Sequence, residues 1–368
     1  PSVGTYLLVG ILNRCVAPCS TAGIAEWFED TALRRVVGIE ARQLSSQRFW
    51  DNMDRVSPEA IAAIERDVVQ RMVETFDIEL NQVLFDATNF FTFIDTFNDR
   101  STLAQRGKSK EGRKSLRIVG LALLVSADGH VPLLHRTYPG NQTDAPTFRS
   151  LTDALIARYR ELTEGAEHVT LVFDKGNNAA DNLEAIAESP YHFIGSLVPT
   201  HHPDLLAVPK SRFRALDEDG LPGVSAWRTT QEVFGAQRTV LVTYNENLFL
   251  AQSRTLLREI AKRQQRLREL QHQLTRWHRG ELKRGKPPSI AGVNKKVQGW
   301  LKARHMKELF VAEISERDGL PTLRYRFNRQ AWARLQRTLL GKTLLFTDNH
   351  QWNDADIVRG YRAQHHVE

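Results

Sequence analysis

Cysteine is nearly missing: Cys15 and Cys19 are the only two in 368 residues. No second pair exists to complete a zinc site, and there is no disulfide framework. Both read as small buried apolar residues in a reducing compartment, which points to the cytoplasm. Long apolar runs are missing too. No window approaches the roughly 18 to 20 apolar residues of a bilayer span, so a membrane-spanning helix is excluded. The opening stretch PSVGTYLLVGILNRCVAPCS is mildly apolar but lacks the basic start of a signal peptide. It runs on into helical pattern and reads as a buried helix. It also lacks an initiator Met, so the true N-terminus is expected upstream. No fixed-period repeat is present.

The sequence does carry positive charge, with a formal net of +7, which favours polyanionic partners. That charge is concentrated. From Ala251 to Phe310 there are sixteen Lys or Arg and four Asp or Glu, while the other 308 residues carry 34 basic and 39 acidic groups. Such an imbalance is what a nucleic-acid footprint looks like, with a solvated helix face as the plain alternative. Hydrophobic residues at 41% and charged residues at 25% are otherwise those of a globular protein large enough for two or three domains.

Residues 1–80 read as a small helical domain. Ser20, Ser45 and Ser57 are candidate N-caps, the last followed by Pro58-Glu59. The helix after Ser57 puts Ile61, Ile64, Val68, Val69 and Met72 on one stripe. With eight Arg and twelve acidic residues, charge does not make this domain a DNA reader.

Near Asn81 the period changes. QVLFDATNFFTFI, LRIVGLALLVSADG and VPLLHRTYPGN read as a three-strand meander with an Asp-Gly turn. Thr143 or Asp144 caps a helix to about Tyr159. HVTLVFD is a strand, Ala179 to Ala187 a helix and YHFIGSLV a strand. The order is that of an α/β, RNase H-like core, first part 81–199. Residues 200–340 form a large basic α+β insertion. It holds a long helix over 247–279, a second helical stretch from Val293 to Arg304, and the strands LFVAEISE and LRYRFN. Residues 341–368 return to the core as a final strand, KTLLFTDN, and a helix, apparently truncated.

Hydrolysis or transesterification of a phosphodiester calls for two metal ions, and Mg²⁺ prefers carboxylate oxygens. The acids should surface where apolar strands end, because burying an unpaired carboxylate is costly. Asp86 interrupts VLFDATNFF and Asp174 ends LVFDKGNN. A turn or cap is the plain alternative for either alone; together, on strands that this topology makes neighbours, they read as a pair. On the closing helix Tyr361, His365 and Glu368 stand at i, i+4 and i+7, on one face.

LFDATNFFTFID, HRTYPGNQTDAPTF, LVFDKGNN and HFIGSLVPT resemble the DDE transposases of bacterial insertion sequences. The likeness is to the branch with a long insertion and a Tyr-x2-Arg-x3-Glu-x6-Lys signature. It covers about 81–200 closely and the final helix in part. The resemblance implies Asp86, Asp174 and Glu368 as catalytic metal ligands for two Mg²⁺ ions, with Mn²⁺ able to substitute. It implies Tyr361 and Arg362 as contacts to the DNA backbone. It further implies double-stranded DNA partners (element ends and target), a homodimer on paired ends, and strand transfer by a 3′-hydroxyl. The chain departs from the signature at Gln364, where arginine is expected, and the lysine position falls at 375, past the last residue. A non-catalytic DNA-binding derivative, inhibiting an intact copy, is the alternative.

Other cations fit DNA contact. Arg100, Arg106, Lys108, Lys110, Arg113, Lys114 and Arg117 cluster between the first two core strands, and Lys175 follows Asp174. In the insertion, Arg263, Arg266, Arg268, Lys295 and Lys296 are phosphate-contact candidates. Trp277 and Trp300 read as packing residues. His201-His202 and His365-His366 read as exposed polar pairs, since no cysteine is in range. Glu313 is the fallback third carboxylate, Asp95 a surface acid.

Overall fold

A computed structural model describes residues 1–95, 97–107, 112, 115–142, 154, 157, 169–178, 180–189, 191–217, 219–282 and 285–366. The chain divides into two compact units: Pro1–Glu79 with Val131–Leu134, and Leu80–His130 with everything from residue 135 on. The segment 200–340 thus shares a unit with the core strands. No helix among the described residues is long and apolar enough to cross a membrane.

The first unit holds helices α1 (Val3–Val16), α2 (Ile24–Glu29), α3 (Leu33–Val37), α4 (Ser46–Met53) and α5 (Pro58–Phe76). Ser45 and Ser57 cap α4 and α5, their side chains accepting the N–H of Arg48 and Ala60. Ser20 does not cap α2. Its carbonyl closes a turn on the N–H of Gly23 instead, at 2.9 Å, so the helix begins after that glycine without a side-chain cap. Tyr6, Val9, Phe28, Leu44 and Phe49 form the core. Of the α5 stripe only Val69 is buried; Ile61, Ile64 and Val68 are 45–50% exposed.

The second unit is mixed α/β, built on a nine-stranded sheet. Its strands are β1 (Gln82–Thr92), β2 (Arg117–Ser126), β3 (Pro132–Pro139), β4 (Val169–Val172), β5 (Tyr191–Ser196), β6 (Arg214–Ala215), β7 (Val224–Val233), β8 (Ala236–Asn245) and β11 (Lys342–Thr347). They lie in the order β3-β2-β1-β4-β5-β11-β8-β7-β6. β1 pairs antiparallel with β2 and parallel with β4, and β4 parallel with β5. A crossover through α6 (Ala180–Ala187) joins β4 to β5, and the short α7 (Pro203–Leu206) follows β5. The helix expected over 143–159 lies outside the described residues.

Sequence reading stopped the core near residue 200, but the sheet does not stop there. β11 sits between β5 and β8, antiparallel to both. The chain leaves this sheet at Asn245 and re-enters beside its exit: the N–H of Asn245 donates to the carbonyl of Gly341 at 2.8 Å. Between lie α8 (Glu246–His278), α9 (Ile290–Leu301), α10 (Met306–Leu309), a two-stranded sheet of β9 (Phe310–Arg317) and β10 (Leu320–Phe327), and α11 (Arg329–Thr338). Their core is a separate cluster. On α8, Ser253, Ile260, Leu267 and Leu274 are buried at a spacing of seven, with Leu270 beside them, a single seam facing that core.

Close packing at one glycine sets how β2 and β3 meet. A Cβ on Gly120 would sit 2.2 Å from the ring of the buried Tyr138. Gly299, within α9, has nothing within 4 Å of its Cβ position. Gly120→Ala should therefore destabilise by about 1–3 kcal/mol through overpacking. Gly299→Ala should stabilise by up to about 1 kcal/mol through helix propensity. Urea unfolding midpoints moving in opposite directions would bear this out; equal shifts would refute it.

Candidate active site

β1 and β4 run parallel with Gln82, Val83 and Leu84 opposite Thr170, Leu171 and Val172. Asp86 lies two residues past Leu84 on β1, and Asp174 two residues past Val172, beyond the end of β4 and at the head of a 3₁₀ turn. Leu84 and Val172 belong to the apolar cluster beneath the last helix, and side chains two apart share a face. Both carboxylates therefore stand on that helix's side. Asp86 is flanked by the buried Phe85 and Ala87 and is itself half-buried.

The last helix, α12 (Asp354–Ala363), is held against this face by three features. Ile357 and Val358 pack over Leu84, Val172 and Ile194. Arg228 of β7 clamps the entry turn, donating to the carbonyls of Trp352 (2.6 Å) and His350 (2.7 Å) and pairing with Asp354 at 3.1 Å. Gly360 lies so close to the sheet that a Cβ there would stand 2.7 Å from both Gln82 Nε2 and Ile194 Cδ1.

The consequence is contact with both segments that carry the acids. The Tyr361 hydroxyl donates to Asp174 Oδ1 at 3.2 Å, and the Ser196 hydroxyl donates to the same oxygen at 3.0 Å. Lys175 pairs with Asp174 Oδ2 at 3.5 Å. Burial raises the Asp174 pKa. The Lys175 N–H, the Lys175 charge and the Ser196 and Tyr361 hydroxyls together outweigh it, so the carboxyl lies below its usual range. Gln364, where the signature has arginine, is buried and donates from Nε2 to the carbonyl of Phe85 at 3.4 Å. It ties the end of the helix to the residue before Asp86.

Other expected residues fall differently. The α-helix ends at Ala363 and a 3₁₀ turn follows over Gln364–His366. The i, i+4 relation of Tyr361 and His365 is therefore lost; His365 Nδ1 meets the Arg362 carbonyl at 2.5 Å. Arg362 is exposed. Glu368, Lys108, Lys110, Arg113 and Lys114 lie outside the described residues. Among the described residues no three His, Cys, Asp or Glu side chains gather to hold a metal. Glu313 is exposed on β9 opposite Arg324, in the smaller sheet.

In the basic segment, Lys295, Lys296 and Arg268 are exposed. Arg263 is not available to DNA. Its side chain is 11% exposed, donating from Nε to the Trp300 carbonyl at 2.8 Å and pairing with Glu259 at 2.8 Å. Arg266 lies over the Trp300 ring at 5.9 Å, and Trp300 packs on the lobe's core. Sequence reading missed Ser196, although a hydroxyl inside an apolar strand carries the same signal as Asp86.

No family model matches the chain, and no curated protein does. Among solved structures it is similar to a piggyBac transposase synaptic complex with hairpin DNA, at 12% identity and a TM-score of 0.36 over 66% of this chain and 48% of that one. It is also similar to a Mos1 transposase paired-end complex with left transposon end, at 10% identity and a TM-score of 0.22 over 52% and 59%. A Mos1 mariner paired end complex with Mn gives 11% identity and 0.22 over 54% and 60%. The chain spans about half the length of the first of these.

Tyr361→Phe should raise the Asp174 pKa, and Gly360→Ala should do the same by forcing α12 outward. Either change removes a donor to the ionised carboxylate and so favours its protonated form. A folded pKa below the unfolded one contributes stability above the unfolded pKa, and that contribution is lost as pH falls through the folded value. Carboxyl NMR titration reads the shift directly; no change in either variant would separate Tyr361 from Asp174.

Proposed function

We propose that the chain carries the catalytic machinery of a DDE transposase. It would cleave DNA at the ends of a mobile element by metal-dependent hydrolysis and join the freed 3′-hydroxyl to target DNA. One observation carries this: Asp86 on β1 and Asp174 just past the end of its parallel neighbour β4, on the face where Tyr361 reaches Asp174. Two hard-oxygen donors, one held ionised by its neighbours, fit a divalent cation such as Mg²⁺ or Mn²⁺. Asp86 and Asp174 would hold the pair of ions, with Glu368 as third carboxylate. When bound, the ions supply charge stabilisation at the entering and leaving oxygens of the phosphodiester.

The protein's own groups do the rest. Ser196 and Tyr361 fix the Asp174 carboxylate in one orientation and keep it unprotonated. Gln364 fixes the chain beside Asp86. Lys175 and the exposed Arg362 face the DNA backbone, and Lys295, Lys296 and Arg268 add phosphate contacts from the lobe. Arg263 holds that lobe together. Paired element ends call for two copies of the chain, so the active form is a homodimer.

Asp86→Asn and Asp174→Asn should each abolish Mg²⁺- or Mn²⁺-dependent nicking of plasmid DNA, with binding retained. The loss should exceed the roughly 10–100-fold cost of removing an outer-shell partner. Full nicking by both variants would sink the assignment. Neutralising Lys295, Lys296 and Arg268 together should flatten the salt dependence of DNA binding by about 0.9 for each phosphate no longer neutralised. Arg263→Ala should leave that slope unchanged and lower stability by about 1.5–3 kcal/mol. A changed slope for Arg263→Ala would reverse the assignment of these residues.

A further inference from the structure

The turn that carries Asp174 and Lys175 is held by a residue that the proposed chemistry does not use. β4 ends at Val172, and a 3₁₀ turn over Lys175–Asn177 follows Asp174. Asp174 heads this turn without a side-chain cap. Its carboxylate meets the Ser196 and Tyr361 hydroxyls instead. The turn is closed from its far end. Asn178 donates its N–H to the Lys175 carbonyl at 3.3 Å, and its side-chain Nδ2 donates to the Ser196 carbonyl at 2.7 Å.

The segment from 174 to 178 is thus clipped at both ends to one residue. The Ser196 hydroxyl takes the Asp174 end at 3.0 Å, and the Ser196 carbonyl takes the Asn178 end. That anchor is fixed by the sheet. Ser196 is 3% exposed and pairs with Leu345 of β11, and the next N–H, of Leu197, donates to the Leu344 carbonyl at 2.8 Å. A carbonyl can only accept, so the Asn178 amide is set with its nitrogen toward Ser196. Its Oδ1 is left buried, with no hydrogen-bond partner among the described residues. A buried acceptor without a partner is costly, and closing the turn through the backbone N–H alone would not require it. The side chain's one hydrogen bond is the clip to Ser196.

We propose that Asn178 is a positioning residue for the site. Acting through Ser196, it holds the segment that aims the Asp174 carboxylate and carries Lys175 beside it. This rests on the transposase function proposed above, which makes Asp174 a metal ligand and Lys175 a DNA contact. The clip forms before either partner arrives, so its loss weakens ion binding even when no DNA is present.

The test titrates the full chain with Mn²⁺ in the absence of DNA, followed by electron paramagnetic resonance. Amide exchange at Lys175 is read in the metal-free protein, and plasmid nicking is read alongside. Asn178→Ala should weaken Mn²⁺ binding by about 10- to 100-fold. It should speed exchange at Lys175 by about 3- to 10-fold while the protein still unfolds cooperatively. Asn178→His, whose Nδ1–H can reach the same carbonyl, should restore both. Unchanged Mn²⁺ affinity in Asn178→Ala overturns the proposal, as do equal losses in Asn178→Ala and Asn178→His. Mn²⁺ binding that depends on Asn178 without any nicking by wild type would overturn the transposase function and leave the positioning role standing. Nicking with an Mn²⁺ affinity indifferent to residue 178 would do the reverse, and a wild type that binds no Mn²⁺ would overturn both.

Discussion

Two carboxylates set among hydrophobic strands, Asp86 on β1 and Asp174 just past its parallel neighbour β4, must each keep a charge beside apolar side chains. Everything around them answers that constraint. A carboxylate pair in low dielectric keeps both charges only if hydrogen-bond donors or cations face it. Asp174 gathers two hydroxyls, a backbone N–H and an ammonium, and these outweigh the effect of burial. The donors come from three separated parts of the chain: Ser196 on β5, Lys175 just past β4, and Tyr361 on α12. A site supplied from so many elements exists only when the sheet and its last helix have assembled.

The helix reaches the site because of where the chain re-enters the sheet. β8 and β11 are neighbours, so an excursion of almost a hundred residues begins and ends at one neck, closed by Asn245 and Gly341. Gly341 adopts φ 76°, and its N–H donates to Gln252 Oε1 at 2.8 Å. Loop closure costs only about 0.6 kcal/mol more for each doubling of length. The sheet therefore tolerates a large lobe there without losing the β11–α12 return. The buried Lys342 reinforces the neck. Its ammonium donates to the carbonyls of Leu206 and Val208 at 2.6 and 3.2 Å, tying the segment after β5 to β11.

Much of this was legible in the residues. The β-branched and aromatic runs of β1, β2, β4, β5 and β11, and the Ser45 and Ser57 caps, carry local signals that tertiary context reinforced. Asp86 stood out because a charge between the apolar neighbours of VLFDATNFF is costly unless it meets a cation, and it gained weight only together with Asp174. What could not be read was non-local. Whether β7 and β8 extend the main sheet depends on pairing with β11, about a hundred residues away, and no local pattern encodes that. α11 went unread because its short polar sequence, RQAWARLQRT, buries only Ala331 and Leu335. The close approach at Gly360 is equally silent, since a glycine inside a helix usually signals only a lower propensity.

Arg263 shows a different failure, one that the sequence itself could have prevented. Counting cations treats all sixteen alike, but α8 has a seam of period seven through Ser253, Ile260, Leu267 and Leu274. Arg263 lies three residues after Ile260 and four before Leu267, so it falls on that seam between apolar neighbours. A guanidinium placed there must find acceptors inside the protein, and it does, in the Trp300 carbonyl and Glu259. Arg254, Arg258 and Lys262 lie off the seam and are exposed. The charge excess of this segment therefore divides by helical phase. Arg263 on the seam joins α8 to α9, and those off it stay exposed to solvent. A nucleic-acid footprint is thus better judged from the cations that remain once each helix's buried stripe has been drawn than from net charge.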